Sequence, residues 1–221
     1  MGNNLLDRLA ALDTCAVSDA LDKLGLQGVL LGLQPLSNPR RMVGRVITVK
    51  LEEANGRPST RHLGTLAVDS AQPGDVILVA HAGRPNVSGW GGILSQGAVK
   101  RGVAGVIVDG ACRDVDESRE LGLTLYARNA VPITARSRVI ETAFNEPVLV
   151  GGDLTVSPGD LVIADGSGIV FLESARAEEI ITTAEQIARR ERAMAEAVLE
   201  GRPMVEVMGA NYENLLNSPN K

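Results

Sequence analysis

The sequence predicts an α/β fold built on a largely parallel sheet, and three observations carry that prediction. First, the chain is 44% hydrophobic but only 2% aromatic, so its core must come from Val, Ile, Leu and Ala. Those residues suit strands buried on both faces. Second, the 24 glycines fit many tight turns between strands and helices. Third, one device occurs twice: PGDVILVAH from Pro73 and PGDLVIADG from Pro158 each run a Pro-Gly-Asp turn into an apolar strand. Pro presets φ, Gly accepts positive φ, and Asp bonds nearby amides. With no fixed period, the echo means two similarly placed strands in one fold and not a solenoid. A length of 221 residues fits one domain with an extension.

The elements follow in order. NNLLDRLAAL (3–12) has helical spacing, with Asn3 or Asn4 as its N-cap. A second helix starts at Ser18 and stops at Gly25. Residues 26–41 read as loop, and VGRVITVKLE from Val43 reads as a strand. A helix from Gly92 to Lys100 precedes the strand VAGVIVDG. AVPITAR and EPVLVGG read as short strands, and GIVFLE closes the sheet. Ser174 to Gly201 is one long polar helix, apolar at Ile180, Ile181, Ala184, Ile187, Ala188, Met194 and Val198, with a short helix from Pro203. Its charge runs predict a solvated face. The organisation is then a domain over residues 1–175 and a helical extension over 176–221, lying on its own or a neighbouring subunit.

Several function classes are disfavoured. The net charge is −5 and no basic patch is interleaved with aromatics, so no nucleic-acid partner is expected. Cys15 and Cys112 are too few and too far apart for a disulfide framework or a zinc site, and suit reduced thiols in a cytoplasmic protein. No segment reads as a signal peptide or membrane span. His62 and His81 lack a supporting motif and read as structural or surface residues. Trp90 and Cys112 read as packing, and Asp109 and Asp165 as Asp-Gly turn residues.

The chemistry collects in two neighbouring units. Ligands of open α/β sheets bind beyond the carboxyl ends of the strands, and GVIVDGACRDVDE puts Arg113 and Asp114 just past such an end. In GWGGILSQGAVKRG a Gly-rich turn opens a helix, whose free amides at Gly91 to Leu94 form an anion site. Asp114, beside Asp116 or Glu117, suits Mg²⁺ or Mn²⁺, which keep several waters and need few protein ligands. A small 2-oxo acid fits this set, its carboxylate on the amides and Arg113 and its carbonyl oxygen shared with the metal. The competing reading is a surface ion pair from Arg113 to Asp116 or Glu117.

Gly92, Arg113-Asp114 and Glu117 stand in a G-x20-R-D-x2-E spacing that resembles the RraA-like family. CAVSDALDKLG, GRVITV, PGDVILV, RGVAGVIVDGACRD and PGDLVIADGSGIV resemble family segments in the same order, over roughly residues 10–175. The resemblance implies a swivelling-type α/β/β fold, a homotrimer or a hexamer of trimers, and a site between subunits. It implies a class II pyruvate aldolase for 4-hydroxy-4-methyl-2-oxoglutarate-type substrates that also decarboxylates oxaloacetate. Asp114 is then the direct Mg²⁺ or Mn²⁺ ligand, and Arg113 binds the pyruvate moiety. Gly91, Gly92, Ile93 and Leu94 cradle substrate oxygens, and Glu117 holds metal waters. Glu191, in ARRERAMAEAVLEG, resembles a glutamate that some members supply from a neighbour's C-terminal helix. One departure is that the best-known aldolases carry Asp where this chain has Gly92, so the group that orients a metal-bound water is missing there. The alternative from another class is a non-catalytic regulator of ribonuclease E, but the bacterial regulator of the family lacks the Asp of the Arg-Asp pair, which this chain keeps.

Overall fold

The computed structural model describes residues 5–209, so the expected caps at Asn3 and Asn4 lie outside the described residues. The chain opens with two helices, α1 (Leu5–Ala10) and α2 (Thr14–Leu24). The second begins before Ser18 because Asp13 caps it, accepting from the Ala16 amide at 2.8 Å. It ends as expected at Gly25, in the left-handed region at φ 66°. Residues 26–41 hold two short edge strands, β1 (Val29–Leu30) and β2 (Gln34–Ser37), where a loop was expected. Pro35 is tolerated in β2 because an edge strand need not donate on both sides.

The long strand β3 (Met42–Glu53) organises everything after it. It is followed by α3 (Thr65–Ser70), β4 (Val76–Ala80), α4 (Gly92–Arg101), β5 (Gly105–Cys112), α5 (Val115–Glu120) and β6 (Leu125–Ala130). Strands β3 to β6 pair in parallel, in chain order, with a helix in each crossover. Next come β7 (Val139–Phe144), β8 (Val148–Val150), β9 (Leu154–Val156), β10 (Leu161–Asp165) and β11 (Gly168–Leu172). These pair antiparallel, as do β1 and β2. The sheet is therefore mixed, not largely parallel. Burial on both faces did not separate the cases, because a second β layer covers a sheet face as well as helices do.

Both Pro-Gly-Asp turns are built alike. Gly74 and Gly159 take φ of 89° and 87°, and Asp75 and Asp160 each accept the amide three residues back, from Gln72 and Ser157, at 2.8 Å. The strands they launch, β4 and β10, flank β3 on its two sides, one parallel and one antiparallel. AVPITAR is not a strand. The β6 ladder stops at Ala130, and Pro132 has no N–H to extend it.

Alternation along the strands sorts the core into layers. Ile77, Val79, Val106, Val108 and Leu125 face α3 and α4. Val76, Leu78, Ile107 and Tyr126 face the second β layer through Val162, Ala164, Ile169 and Phe171. The far side of that layer, Leu161, Ile163, Val170 and Leu172, packs on α1, α2 and the long C-terminal helix. The result is an α/β/β arrangement with a further helical layer.

That helix, α6 (Ala177–Leu199), follows a 3-10 turn at Ser174–Arg176 and precedes α7 (Met204–Val207). It is more than a solvated arm, since Ile180, Ile181, Ala184 and Ile187 are all buried. Half-buried Arg8 of α1 fastens it, donating to Glu185 at 2.8 Å, to Thr182 at 2.9 Å and to Glu178. No helix among the described residues is long and apolar enough to cross a membrane.

Asp165 does more than make its expected turn. It accepts the Thr14 amide and hydroxyl, at 2.9 and 2.7 Å, and the Ser167 amide at 2.9 Å, so it joins α2 to the end of β10. Burial pushes its pKa up, but the Thr14 and Ser167 bonds and nearby Arg41 outweigh burial and hold it below its ordinary value. A carboxyl whose folded pKa is depressed stabilises fully above its unfolded value and loses that contribution as pH falls through the folded value. Asp165→Asn should therefore lower stability by about 1–2 kcal/mol at neutral pH. Urea unfolding of both proteins across pH should show the difference closing below the ordinary carboxylate range.

Candidate functional site

The site lies where α4 begins, beside the end of β5. The Arg113 amide donates to the Trp90 carbonyl at 3.0 Å, which fixes the end of β5 against the turn before α4. Trp90 is buried, as expected, and its indole N–H donates to Ser95 Oγ at 3.0 Å. Ser95 Oγ in turn meets Ser118 Oγ at 3.0 Å, tying α4 to α5.

Asp114 caps α5 in the left-handed region, at φ 57° and ψ 41°. That backbone turns its side chain toward α4. Its Oδ2 accepts the Gly92 amide at 2.9 Å and Arg113 Nε at 3.1 Å. Its Oδ1 accepts no hydrogen bond among the described residues, and the side chain is one-third exposed. The terminal nitrogens of Arg113 are likewise uncommitted among the described residues. The ion pair of Arg113 is therefore with Asp114, while Asp116 turns outward to Arg119 at 2.6 Å.

The expected cradle has unequal members. The Gly92 amide is taken by Asp114, while the amides of Ile93 and Leu94, in the first turn of α4, have no acceptor within the helix. They point their partial positive charge outward at the dipole's positive end. The Ile93 side chain is 87% exposed, and Leu94 is buried. Gly91 is extended, and a Cβ there would stand 3.0 Å from Asp114 Oδ2.

Gly92 is the more telling glycine. A Cβ on it would stand 1.8 Å from Glu117 Oε2, so the Glu117 carboxylate occupies the space a side chain at 92 would need. Gln96, one turn along α4 from Gly92, holds that carboxylate by donating to Oε1 at 2.5 Å. Gln96, Ser95 and Ser118 were not singled out in the sequence. The available signal was the four-residue step from Gly92 to Gln96, which puts both on one face of α4.

Glu191 stands elsewhere in its own chain. It makes no hydrogen bond or ion pair with Arg113, Asp114 or Glu117 among the described residues. Burial raises its pKa first, and Asp19 and Asp13 of α2 raise it further.

The residues set aside from the sequence are mostly structural. Burial pushes the Cys112 thiol up to about 12, which leaves it unreactive. His81 is buried and hydrogen-bonds Val87 O at 2.8 Å, and burial lowers its pKa. Asp109 is not a turn residue, because β5 runs on to Cys112. Buried Asp109 pairs with Arg128 at 2.7 Å and accepts the Gly151 amide at 3.0 Å.

The site's donor set fits a hard cation with few protein ligands. Asp114 offers one unengaged carboxylate oxygen, Glu117 a second carboxylate nearby, and no group of three His, Cys, Asp or Glu side chains encloses an ion among the described residues.

Comparison with known proteins agrees with this architecture. Protein DlpA of Legionella pneumophila is 26% identical over 198 residues, which are 90% of this chain but 32% of DlpA, so the chain spans about a third of that relative. A protein of Alcanivorax borkumensis, provisionally named 4-hydroxy-4-methyl-2-oxoglutarate aldolase, is 35% identical over 71% of this chain and 93% of its own. The crystal structure of an uncharacterized protein from Pseudomonas syringae superimposes with a TM-score of 0.83 at 30% identity, covering 95% of this chain and 98% of that one. Streptomyces coelicolor RraAS2, described as an unusual member of the RNase ES inhibitor RraA protein family, superimposes with a TM-score of 0.78 at 28% identity, over 87% of this chain and 98% of its own. The family model described as Aldolase/RraA matches residues 14–171, and the chain belongs to the RraA-like family.

Proposed function

We propose that this protein is a divalent-metal-dependent lyase that cleaves 4-hydroxy-4-methyl-2-oxoglutarate-type 2-oxo acids to pyruvate and also decarboxylates oxaloacetate. The observation that carries this reading is the meeting, at one strand end, of two free helix-start amides, the open fork of Arg113 and the unengaged oxygen of Asp114. Mg²⁺ or Mn²⁺ would be held by Asp114, with the remaining positions filled by water, and would supply Lewis-acid stabilisation of negative charge. The Ile93 and Leu94 amides orient the substrate carboxylate. The Arg113 terminal nitrogens face the 2-oxo group, where negative charge develops as the enolate forms. Donors placed in advance at developing charge supply a large catalytic effect.

Glu117 is the base in this reading. It takes the proton of the C4 hydroxyl, the C4–O bond becomes a carbonyl, and the C3–C4 electron pair passes to the pyruvate enolate, which is then protonated at C3. The carboxylate reaches this place because Gly92 leaves it room and Gln96 holds it. A homotrimer or hexamer, with Glu191 of a neighbouring copy completing the site, belongs to the same proposal. Its support is the exposed apolar end of the arm, at Leu199, Met204 and Val205. A second reading, regulation of ribonuclease E, is favoured by the likeness to RraAS2.

Three outcomes are expected. Pyruvate release from both substrates should need Mg²⁺ or Mn²⁺, stop with EDTA, and vanish in Asp114→Ala. Arg113→Lys should fall roughly 100- to 1000-fold in kcat, because a point charge does not replace the fork. Near-wild-type turnover of the folded variants would refute the assignment, and ribonuclease E inhibition measured in parallel would test the regulator reading. Oxaloacetate has no C4 hydroxyl to deprotonate, so Glu117→Gln should slow the aldol substrate at least tenfold more than oxaloacetate. Equal losses on the two substrates would remove Glu117 from the role of base.

A further inference from the structure

A second cluster of cations lies on the segment that joins β3 to α3, whose end at Gly64 packs against the start of α4. Residues 54–63 and 134–140 enclose a cleft of about 760 Å³. Arg57, Arg61 and Arg136 line it, His62 sits among them, and no Asp or Glu side chain does. Glu52 and Glu141 pair with Arg57 and Arg61 from outside the lining, so the cleft carries a surplus of one positive charge, at Arg136.

The cleft is built and not accidental. Glu141 of β7 stands behind it with a side chain 0% exposed. Its Oε1 lies 2.9 Å from Arg61 Nε, and its Oε2 accepts the Gly64 amide at 2.7 Å. One buried carboxylate thus anchors the segment through the Gly64 amide, and its Oε1 pairs electrostatically with Arg61 without hydrogen-bond alignment. Only Nε is used, so among the described residues the two terminal nitrogens of Arg61 have no partner. The Arg136 guanidinium has none among them either. Arg57 is committed instead, donating to the Glu53 carbonyl at 2.7 Å and pairing with Glu52 at 3.3 Å.

The same segment packs on the helix that carries the cradle. A Cβ on Gly64 would stand 3.2 Å from the buried side chains of Trp90 and Leu94, so the end of the Arg61–Gly64 turn lies one side chain's width from the start of α4. Guanidinium forks match carboxylates and phosphates, and of these the substrate class proposed above supplies a carboxylate. We propose that this cleft holds the distal carboxylate of a dicarboxylic 2-oxo acid, with Arg61 and Arg136 as its donors and specificity-determining residues. Its role toward substrate rests on the function proposed above, whereas the binding of a carboxylate in the cleft does not.

The test is calorimetric binding of pyruvate, which carries only the cradle's carboxylate, and of 2-oxoadipate, which carries a second one, to the full chain with Mg²⁺. Arg136→Gln should weaken 2-oxoadipate roughly tenfold and leave pyruvate unchanged. Arg61→Gln strands Glu141 and can unfold the segment, so Arg61→Gln/Glu141→Gln is the matched variant, and the same selective loss is expected there. If both variants bind 2-oxoadipate as the wild type does, or lose the two ligands equally, the cleft proposal is overturned while the Arg113 reading stands. If the wild type binds no pyruvate yet holds 2-oxoadipate and loses it in Arg136→Gln, the cleft stands and the Arg113 reading falls.

Discussion

The site depends on the conformation of one residue. Asp114 takes a left-handed backbone, which costs a non-glycine residue about 1–2 kcal/mol. What offsets that cost is a carboxylate oxygen shared by the Gly92 amide and Arg113 Nε. Hydrogen bonds to a charged group contribute about 1.5–3 kcal/mol each, so the arrangement holds. With an extended backbone at 114, the side chain would leave α4. The helix start would then lose its partner, and Arg113 would lose the group that orients it.

The surrounding layers make that conformation possible. All eight residues of β5 are buried, so its end is fixed on both faces before the chain turns at Arg113. The crossover from β4 brings the start of α4 over the same strand end, and the Trp90 carbonyl locks the two together through the Arg113 amide. Rigidity of this kind lets a site work with few side chains, since each arrives already aimed.

Much of this was legible in the sequence because it is local chemistry. The Pro-Gly-Asp turns, the Gly25 stop and the apolar run of β5 each follow from a few consecutive residues. Arg113, Asp114 and Gly92 stood out because a strand end and a helix start announce where charge and free amides will be. What stayed hidden was long-range. The antiparallel half of the sheet depends on a second β layer that covers the first, and burial in the sequence does not say which partner provides it. The role of Asp109 with Arg128 and Gly151, and that of Asp165 with Thr14, likewise join distant segments. The Glu141–Arg61 pair spans β7 and the loop after β3, and no short pattern marks it.

Gly92 shows how an absent side chain can carry information. Set against the family resemblance, it is a departure from an expected Asp. In three dimensions it is a vacancy filled from α5, where Glu117 enters the space and Gln96 retains it. The carboxylate therefore reaches the helix start from the opposite wall, held by a side chain one turn further along α4. Glu117 lies in α5 and Asp114 at that helix's N-cap position, so the acceptor oxygen and the proposed base come from one short element. Their relative position is set by the packing of α4 on α5, since Gly92 and Gln96 of α4 hold one group each, and Ser118, donating its amide to the Asp114 carbonyl at 3.1 Å, ties α5 to its first residue.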